Sequence, residues 1–220
     1  MHPYLKKLAK SYKENAIESD APAMEAYMKH HFKFYGLKSP LRNAITKNHI
    51  ALCGKVTYED MPIIIKEAFA QPYRELHYFA MTLLETHHRN LQEHDIELVK
   101  WMVKTNSWWD TIDYIATRGA GVLVKKYPIL RFDMDQWSND ENFWIRRIAI
   151  LHQMKFKQQT DITRLFNYCI SNANDKEFFI QKAMGWALRE YAYIDGKAVL
   201  AFLGKHKMPN LTVREATKHL

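Results

Sequence analysis

The sequence predicts an all-α protein built as a curved stack of antiparallel helix pairs with a basic concave face. Three observations predict the helical class. Glycine and proline are scarce, with 7 of each among 220 residues, so few positions interrupt a helix. No run alternates apolar and polar residues in strand fashion around a hairpin signal. Apolar residues recur at helical spacing, for example at Leu76, Phe79, Ala80, Leu83 and Leu84.

Capping chemistry indicates where individual helices begin. The candidate starts are Ser39 with Pro40, Thr57 with Asp60, Ser107 with Asp110, and Asn174 with Glu177. Together with the apolar periodicity they predict helices, in chain order, at residues 3–17, 20–32, 39–54, 58–71, 73–91, 93–105, 108–127, 140–154, 161–172, 175–193, 196–205 and 210–219.

Short turns join these helices, so consecutive helices are expected to pack antiparallel. Many short antiparallel pairs are typical either of a globular bundle or of a HEAT-like solenoid. The internal repeats are too degenerate to choose between the two. No linker or low-complexity stretch divides the chain, and we therefore predict a single domain over residues 1–220.

Composition and charge narrow the class of partner. The chain has 32 basic and 24 acidic residues, a net charge of +8 and a pI near 9.3, which favours a polyanion such as nucleic acid or an acidic membrane surface. Cys53 and Cys169 have no zinc-site spacing, so a reducing compartment and no metal are expected. The first residues lack a signal-peptide apolar region, and no apolar run is long enough to span a bilayer. These features predict a cytoplasmic protein.

Residues 106–113 hold the first candidate for chemistry. Ser107 and Asp110 fit a capping box, which makes Asp110 a structural residue. Trp109 and Asp113 are four apart, so they lie on one helical face. Asp113 is too far into the helix to cap it and has apolar neighbours. It is therefore either a satisfied structural carboxylate or a functional one.

A second candidate lies in residues 177–191. Lys182, Trp186 and Arg189 share one helical face, and Phe179 belongs to the opposite, core face. A tryptophan between two cations suits a surface that meets phosphates and a sugar or base. The alternative is that Trp186 packs against the next repeat.

A third basic segment covers residues 142–153. Arg147 shares a stripe with Trp144 and Leu151, from which its guanidinium fork can reach an oxyanion. The alternative is an ordinary solvated arginine.

These segments resemble the AlkD-type DNA alkylation-repair glycosylases, which are HEAT-like repeat enzymes. The resemblance runs over nearly the whole chain and is carried by residues 24–29, 34–42, 72–80, 107–113, 144–147 and 178–191. It implies that Trp109, Asp113 and Trp186 form the family's catalytic aromatic–carboxylate–aromatic trio. It also implies that Arg147 and Arg189 contact DNA and that Tyr27 lies near the lesion. Lys182 is predicted to bind DNA as well, because it shares a helical face with Trp186 and Arg189.

The resemblance further implies a reaction and its partners. The family hydrolyses the N-glycosidic bond of cationic alkylated purines, such as N7-alkylguanine and N3-alkyladenine, in base excision repair. The expected substrate is double-stranded DNA containing these bases, which need not be flipped into a pocket. A monofunctional hydrolase is expected, acting as a monomer without cofactor, metal or membrane.

Two rivals to the enzyme remain at the level of sequence. One is a catalytically silent DNA-binding relative, in which a bulky residue such as Tyr35, beside Gly36, blocks the cleft. The other is a HEAT-like scaffold for proteins, which would expose apolar grooves instead of tryptophan and arginine stripes. A histidine-rich stretch lacks metal-ligand spacing and is interpreted as a solvated turn: Glu85, His87, His88, Glu93, His94 and Asp95.

Overall fold

A computed structural model describes all residues from Met1 to Leu220 and contains helices but no strand. The all-α prediction is confirmed. In chain order the α-helices are α1 (Pro3–Glu14), α2 (Ala21–Tyr27), α3 (Ser39–Cys53), α4 (Met61–Phe69), α5 (Arg74–Thr86), α6 (Ile96–Lys104), α7 (Trp109–Ile115), α8 (Gly121–Lys126), α9 (Arg131–Trp137), α10 (Phe143–Leu151), α11 (Ile162–Ser171), α12 (Phe178–Lys205) and α13 (Asn210–Ala216).

The chain divides into two compact units, Met1–Asn90 and Leu91–Leu220. Basic charge is shared between them, with 13 basic against 9 acidic residues in the first and 19 against 15 in the second. Each unit therefore has the same excess of positive charge, and neither is singled out by charge alone as the one that binds a polyanion. The single solenoid domain over residues 1–220 and its basic concave face stay predictions.

In the first unit, α1, α3, α4 and α5 pack around an apolar core. The core includes Leu5 and Leu8 of α1, and Ile64 and Phe69 of α4, all fully buried. These residues follow the spacing of one helical face, which is how an amphipathic helix buries its apolar stripe. The sequence periodicity is therefore sufficient to explain the local architecture of this unit.

In the second unit, α10 is the central helix and packs against α6, α7, α9, α11 and α12. Seven of its residues are buried, Arg147 among them. A helix that is surrounded on most sides leaves no solvent-facing stripe, so a charged residue on it must find its partner inside the protein. This placement of α10 determines the environment of the candidate site.

The predicted helix at residues 108–127 is interrupted. It consists of α7, a π-helical segment at Ala116–Ala120, and α8. A Cβ atom on Gly121 would collide with the carbonyl oxygen of His152, so glycine permits the close approach of α8 to the end of α10. The break is thus a packing effect that the helical periodicity of the sequence does not reveal.

Two further departures have local causes. The sequence did not predict α9, a short helix that follows a 3₁₀ turn at Pro128–Leu130 and buries Met134 and Trp137. The helices predicted at residues 175–193 and 196–205 are consecutive in α12, where Asp195 alone has non-helical angles, φ −145° and ψ 85°. The predicted division of this segment is therefore correct at the kink.

The predicted caps are partly wrong. The Ser107 hydroxyl donates to the carbonyl oxygen of Val103, while Trp108 occupies the cap position of α7 without a side-chain hydrogen bond. At α12 the cap is Glu177, whose carboxylate accepts the amide of Phe179, and not Asn174. The Thr57 hydroxyl does accept the amide of Asp60, in the turn before α4.

Candidate active site

The centre of the candidate site is an ion pair between α7 and α10. Arg147 Nε–H donates to Asp113 Oδ1 at 2.7 Å, and Arg147 Nη2–H donates to Asp113 Oδ2 at 2.9 Å. The third nitrogen, Nη1, donates to the backbone carbonyl of Phe179 in α12. This fork-to-fork geometry fixes the orientation of the carboxylate as well as its distance.

Burial explains why this pair must form. The Arg147 side chain is only 1% exposed, whereas that of Asp113 is 24% exposed. A buried guanidinium without a counter-charge would cost several kcal/mol, and a single well-placed carboxylate removes most of that cost. The cation is therefore inside the protein, and the carboxylate is at the boundary with solvent.

Two opposing influences act on the pKa of Asp113. Burial raises it, the bonds and charge of Arg147 lower it, and the nearby charge of Asp110 raises it further, with a net increase above the ordinary value. The bonds from Arg147 favour the ionised form of Asp113, whereas burial disfavours it. The site thus holds this carboxyl group in one orientation beside a cation.

Trp186 joins this network through the same arginine. The guanidinium carbon of Arg147 lies 5.4 Å from the centre of the Trp186 ring and 5.7 Å from that of Phe179. Trp186 is half-buried, so part of its ring surface remains accessible. Arg147 therefore connects the carboxylate of α7 to the indole of α12.

Trp109 is the first residue of α7, one helical turn before Asp113, and is also half-buried. The i,i+4 spacing predicted from the sequence thus falls within one observed helix. The structure brings Asp113, Arg147 and Trp186 together by direct contact and places Trp109 beside Asp113 by helix geometry.

An aromatic cluster supports the ion pair from within the protein. Phe179 contacts Trp144 with ring centres 4.8 Å apart and Trp108 with centres 5.4 Å apart, and Trp108 and Trp144 are 6.0 Å apart. Such rings pack with little freedom to move. Phe179 therefore contributes to the site in two ways. Its ring packs in this cluster, and its backbone carbonyl accepts a hydrogen bond from Arg147. The sequence assigned Phe179 only to the core.

The structure decides between the two interpretations of the Arg147 segment. The side chain is 1% exposed and its guanidinium fork binds the carboxylate of Asp113, so the alternative of a solvated arginine is wrong. The physical reason is the central position of α10, which buries the face that carries Arg147. Arg147 thus orients the carboxylate, and its contact with DNA stays a prediction.

Lys182 and Arg189 lie on one face with Trp186, as predicted, but both are already paired. Lys182 Nζ lies 3.0 Å from Glu215 Oε1, and Arg189 Nη1 donates to Glu215 Oε2 at 3.0 Å. Glu215 belongs to α13, which packs along α12. No local sequence signal indicates this carboxylate, since its partners are 33 and 26 residues away.

Tyr27 is the last residue of α2, in the first unit, and its side chain is 67% exposed. Such exposure of a tyrosine is compatible with a contact surface. Its position near a lesion stays a prediction.

No group of three or more histidine, cysteine or acidic side chains is arranged to hold a metal ion. The chain also lacks a helix with the length and apolar character needed to cross a bilayer.

The fold and the site define a class of protein: an all-α chain in which a buried arginine holds a carboxylate and also lies against an indole. The chain belongs to the DNA alkylation repair enzyme family, whose model matches residues 8–220. The expected family resemblance is thereby confirmed, and membership gives the protein a role in DNA alkylation repair, with DNA as the partner.

A solved structure supports the same assignment. The fold is similar to that of a predicted DNA alkylation repair enzyme from Enterococcus faecalis, with a TM-score of 0.86 and 29% sequence identity over 93% of this chain and 96% of that chain. No match was found among the curated proteins.

Proposed function

We propose that the protein is a monofunctional DNA glycosylase that hydrolyses the N-glycosidic bond of cationic alkylated purines, such as N7-alkylguanine and N3-alkyladenine, in duplex DNA. The observation that carries this proposal is the carboxylate of Asp113 held by Arg147, whose guanidinium also lies against the indole of Trp186, in a chain of the alkylation-repair family.

The chemistry of the substrate matches a site with one carboxylate. A cationic base is already a good leaving group, so no general acid is needed to protonate it. The barrier lies in the positive charge that develops on the deoxyribose as the bond breaks. An ionised Asp113 stabilises that charge electrostatically and orients the attacking water. Sugar hydrolases that use two carboxylates need the second as an acid, and that need is absent here.

The tryptophans supply the second part of the mechanism. Trp109 and Trp186 hold the sugar between their π-faces, which attract a developing positive charge. Because the reacting atoms belong to the sugar, the base need not leave the duplex stack, in contrast to most enzymes that modify bases. Backbone contacts hold the duplex, and Tyr27 meets it near the lesion.

Arg147 has a specific part in this scheme. Each carboxylate oxygen has a second lone pair, so the two bonds from Arg147 leave acceptor sites for a water molecule. The exposed 24% of the Asp113 side chain gives that water access. Arg147 thus holds the carboxylate in one orientation without consuming its capacity to act.

A second candidate is a catalytically silent DNA-binding member of the family. The observation that favours it is that both oxygens of Asp113 already accept N–H groups from Arg147. Tyr35, the residue suspected of blocking a cleft, stacks on Tyr73 with ring centres 3.8 Å apart and is held in place within the first unit.

Base release distinguishes the two candidates. Duplex DNA treated with a methylating agent is incubated with the protein, and free methylated purine is measured against spontaneous loss. Release above the spontaneous rate supports the glycosylase. Tight, salt-dependent binding of the same duplex without release would establish the silent relative instead. Little binding at any salt concentration would favour a protein scaffold and contradict both.

A further inference from the structure

The carboxylate of Glu215 is fixed against α12 by close packing of α13. A Cβ atom on Gly185 would lie 2.5 Å from the Cβ of Glu215, so only glycine allows α13 this near. The Thr212 hydroxyl donates to the carbonyl oxygen of Gln181 at 2.9 Å and fixes the register of the two helices. Glu215 is therefore held over the stripe that contains Trp186.

This carboxylate binds both cations that flank the tryptophan. Its oxygens lie 3.0 Å from Lys182 Nζ and 3.0 Å from Arg189 Nη1. The hydrogen bond from Lys182 lowers the pKa of Glu215 below its ordinary value against the opposing effect of burial, and the charges of Lys182 and Arg189 and a hydrogen bond with Trp186 lower it further. The carboxylate is thus ionised at neutral pH and opposes two positive charges.

The indole of Trp186 is close to two of the cations concerned. Lys182 Nζ lies 5.7 Å from the centre of its ring, and the guanidinium carbon of Arg147 lies 5.4 Å from it. Asp113 is the counter-charge of Arg147, and Glu215 is that of Lys182 and Arg189. Without Glu215, Lys182 beside the ring and Arg189 on the same helical face would both lose their counter-charge.

We infer that Glu215 is a positioning residue for the glycosylase reaction, holding Lys182 and Arg189 so that the π-face of Trp186 can receive a cationic sugar. The inference rests on the proposed function. A free ammonium group at this distance would compete for the ring and repel positive charge on the deoxyribose. Glu215 weakens both effects by binding the ammonium group and opposing its charge.

The first test is Glu215→Gln, which keeps the size of the side chain and removes its charge. Single-turnover release of methylated purine should fall about tenfold. Affinity for duplex DNA should stay equal or increase, with a steeper salt dependence, because two cations become available to phosphates. The matched control is Glu190→Gln, which removes an exposed carboxylate from the same helix and should leave both quantities unchanged.

A second variant distinguishes the effect of the Glu215 charge from a purely structural role, in which the side chain only links α12 and α13. Adding Lys182→Gln to Glu215→Gln replaces an ion pair with two amides and restores the charge balance near Trp186. Release should recover by several-fold relative to Glu215→Gln alone. If Glu215 only bridged two helices, the double variant would be no faster than the single one. The midpoint of thermal unfolding, measured on every variant, identifies any loss that comes from unfolding.

The inference is overturned if Glu215→Gln releases base as fast as wild type, or if the double variant shows no recovery. Failure of the proposed function has a different signature, because wild type itself would then release no base. In that case the salt dependence of DNA binding still tests whether Glu215 restrains Lys182 and Arg189 electrostatically. An unchanged salt dependence in Glu215→Gln would show that the carboxylate does not restrain Lys182 and Arg189.

Discussion

Arg147 and Asp113 form a two-point ion pair across α7 and α10, with N–O distances of 2.7 and 2.9 Å, in which the arginine is buried and the carboxylate is partly exposed. The protein interior thus fixes the cation, and the carboxylate stays partly open to solvent. The proposed mechanism requires this asymmetry, because the carboxylate must be reached by the substrate.

Arg147→Ala should strongly reduce both stability and excision. Removal of the arginine leaves Asp113 shielded without its counter-charge and opens a void in α10, which together cost about 3–5 kcal/mol of unfolding free energy. Urea unfolding measures the first effect and base release the second. Arg131→Ala, at an exposed position on α9, is the control and should change stability by no more than about 0.5 kcal/mol. Equal stabilities of the two variants would contradict the structural role of the pair.

Gly185→Ala should destabilise the protein by about 1–3 kcal/mol, since the added methyl group meets Glu215 at 2.5 Å and forces α13 away from α12. Gly204→Ala is a matched change within the same helix, where nothing lies within 4 Å of the new Cβ. This control should be neutral or stabilise the helix by about 0.5–1 kcal/mol. Thermal unfolding of the two variants measures the difference in their stability. The prediction holds if Gly185→Ala is the less stable of the two, whether or not Gly204→Ala is more stable than wild type. A stable Gly185→Ala protein would show that the close packing of α13 is not needed.

Acid should destabilise the protein partly through His152. The side chain is fully buried and its Nδ1 donates to the carbonyl of Ala149 at 2.7 Å. Burial lowers the pKa of His152 to about 4, so the folded protein keeps it neutral while the unfolded chain takes up a proton below its ordinary pKa of 6.5. Stability from this residue is complete above pH ~6.5 and is lost as the pH falls towards ~4, by up to about 3 kcal/mol.

The measurement is urea unfolding of wild type and His152→Gln across that pH range. The wild-type free energy of unfolding should fall more steeply with acid than that of the variant, which has no imidazole to protonate. Parallel curves would mean that His152 does not titrate on unfolding.

Much of the fold follows from local sequence signals. The apolar spacing of α5 was correctly predicted because it depends on local periodicity, and the bounds of α3 because proline lies in its first turn. The helix α9 was missed because its formation depends on the tertiary burial of Met134 and Trp137. Short helices have little local stability of their own and form when packing supports them.

The candidate site was predictable only in part. Helical spacing brought Trp109 together with Asp113, and Lys182 together with Trp186, because each pair lies within one helix. The residues that contact these side chains from other helices were not predicted. Glu215 is the main example, because its partners Lys182 and Arg189 are far away in the chain. The burial of Arg147 was not predicted because the sequence of α10 does not reveal that neighbours surround this helix on most sides.

The most direct measurement compares wild type with Asp113→Asn for release of methylated purine from duplex DNA, with binding measured on the same substrate. The substitution preserves shape and removes the charge proposed to stabilise the sugar cation. We expect release to fall by about 100-fold or more while affinity for DNA stays nearly unchanged. Equal release rates for the two proteins would contradict the role assigned to Asp113 and, with it, the proposed mechanism.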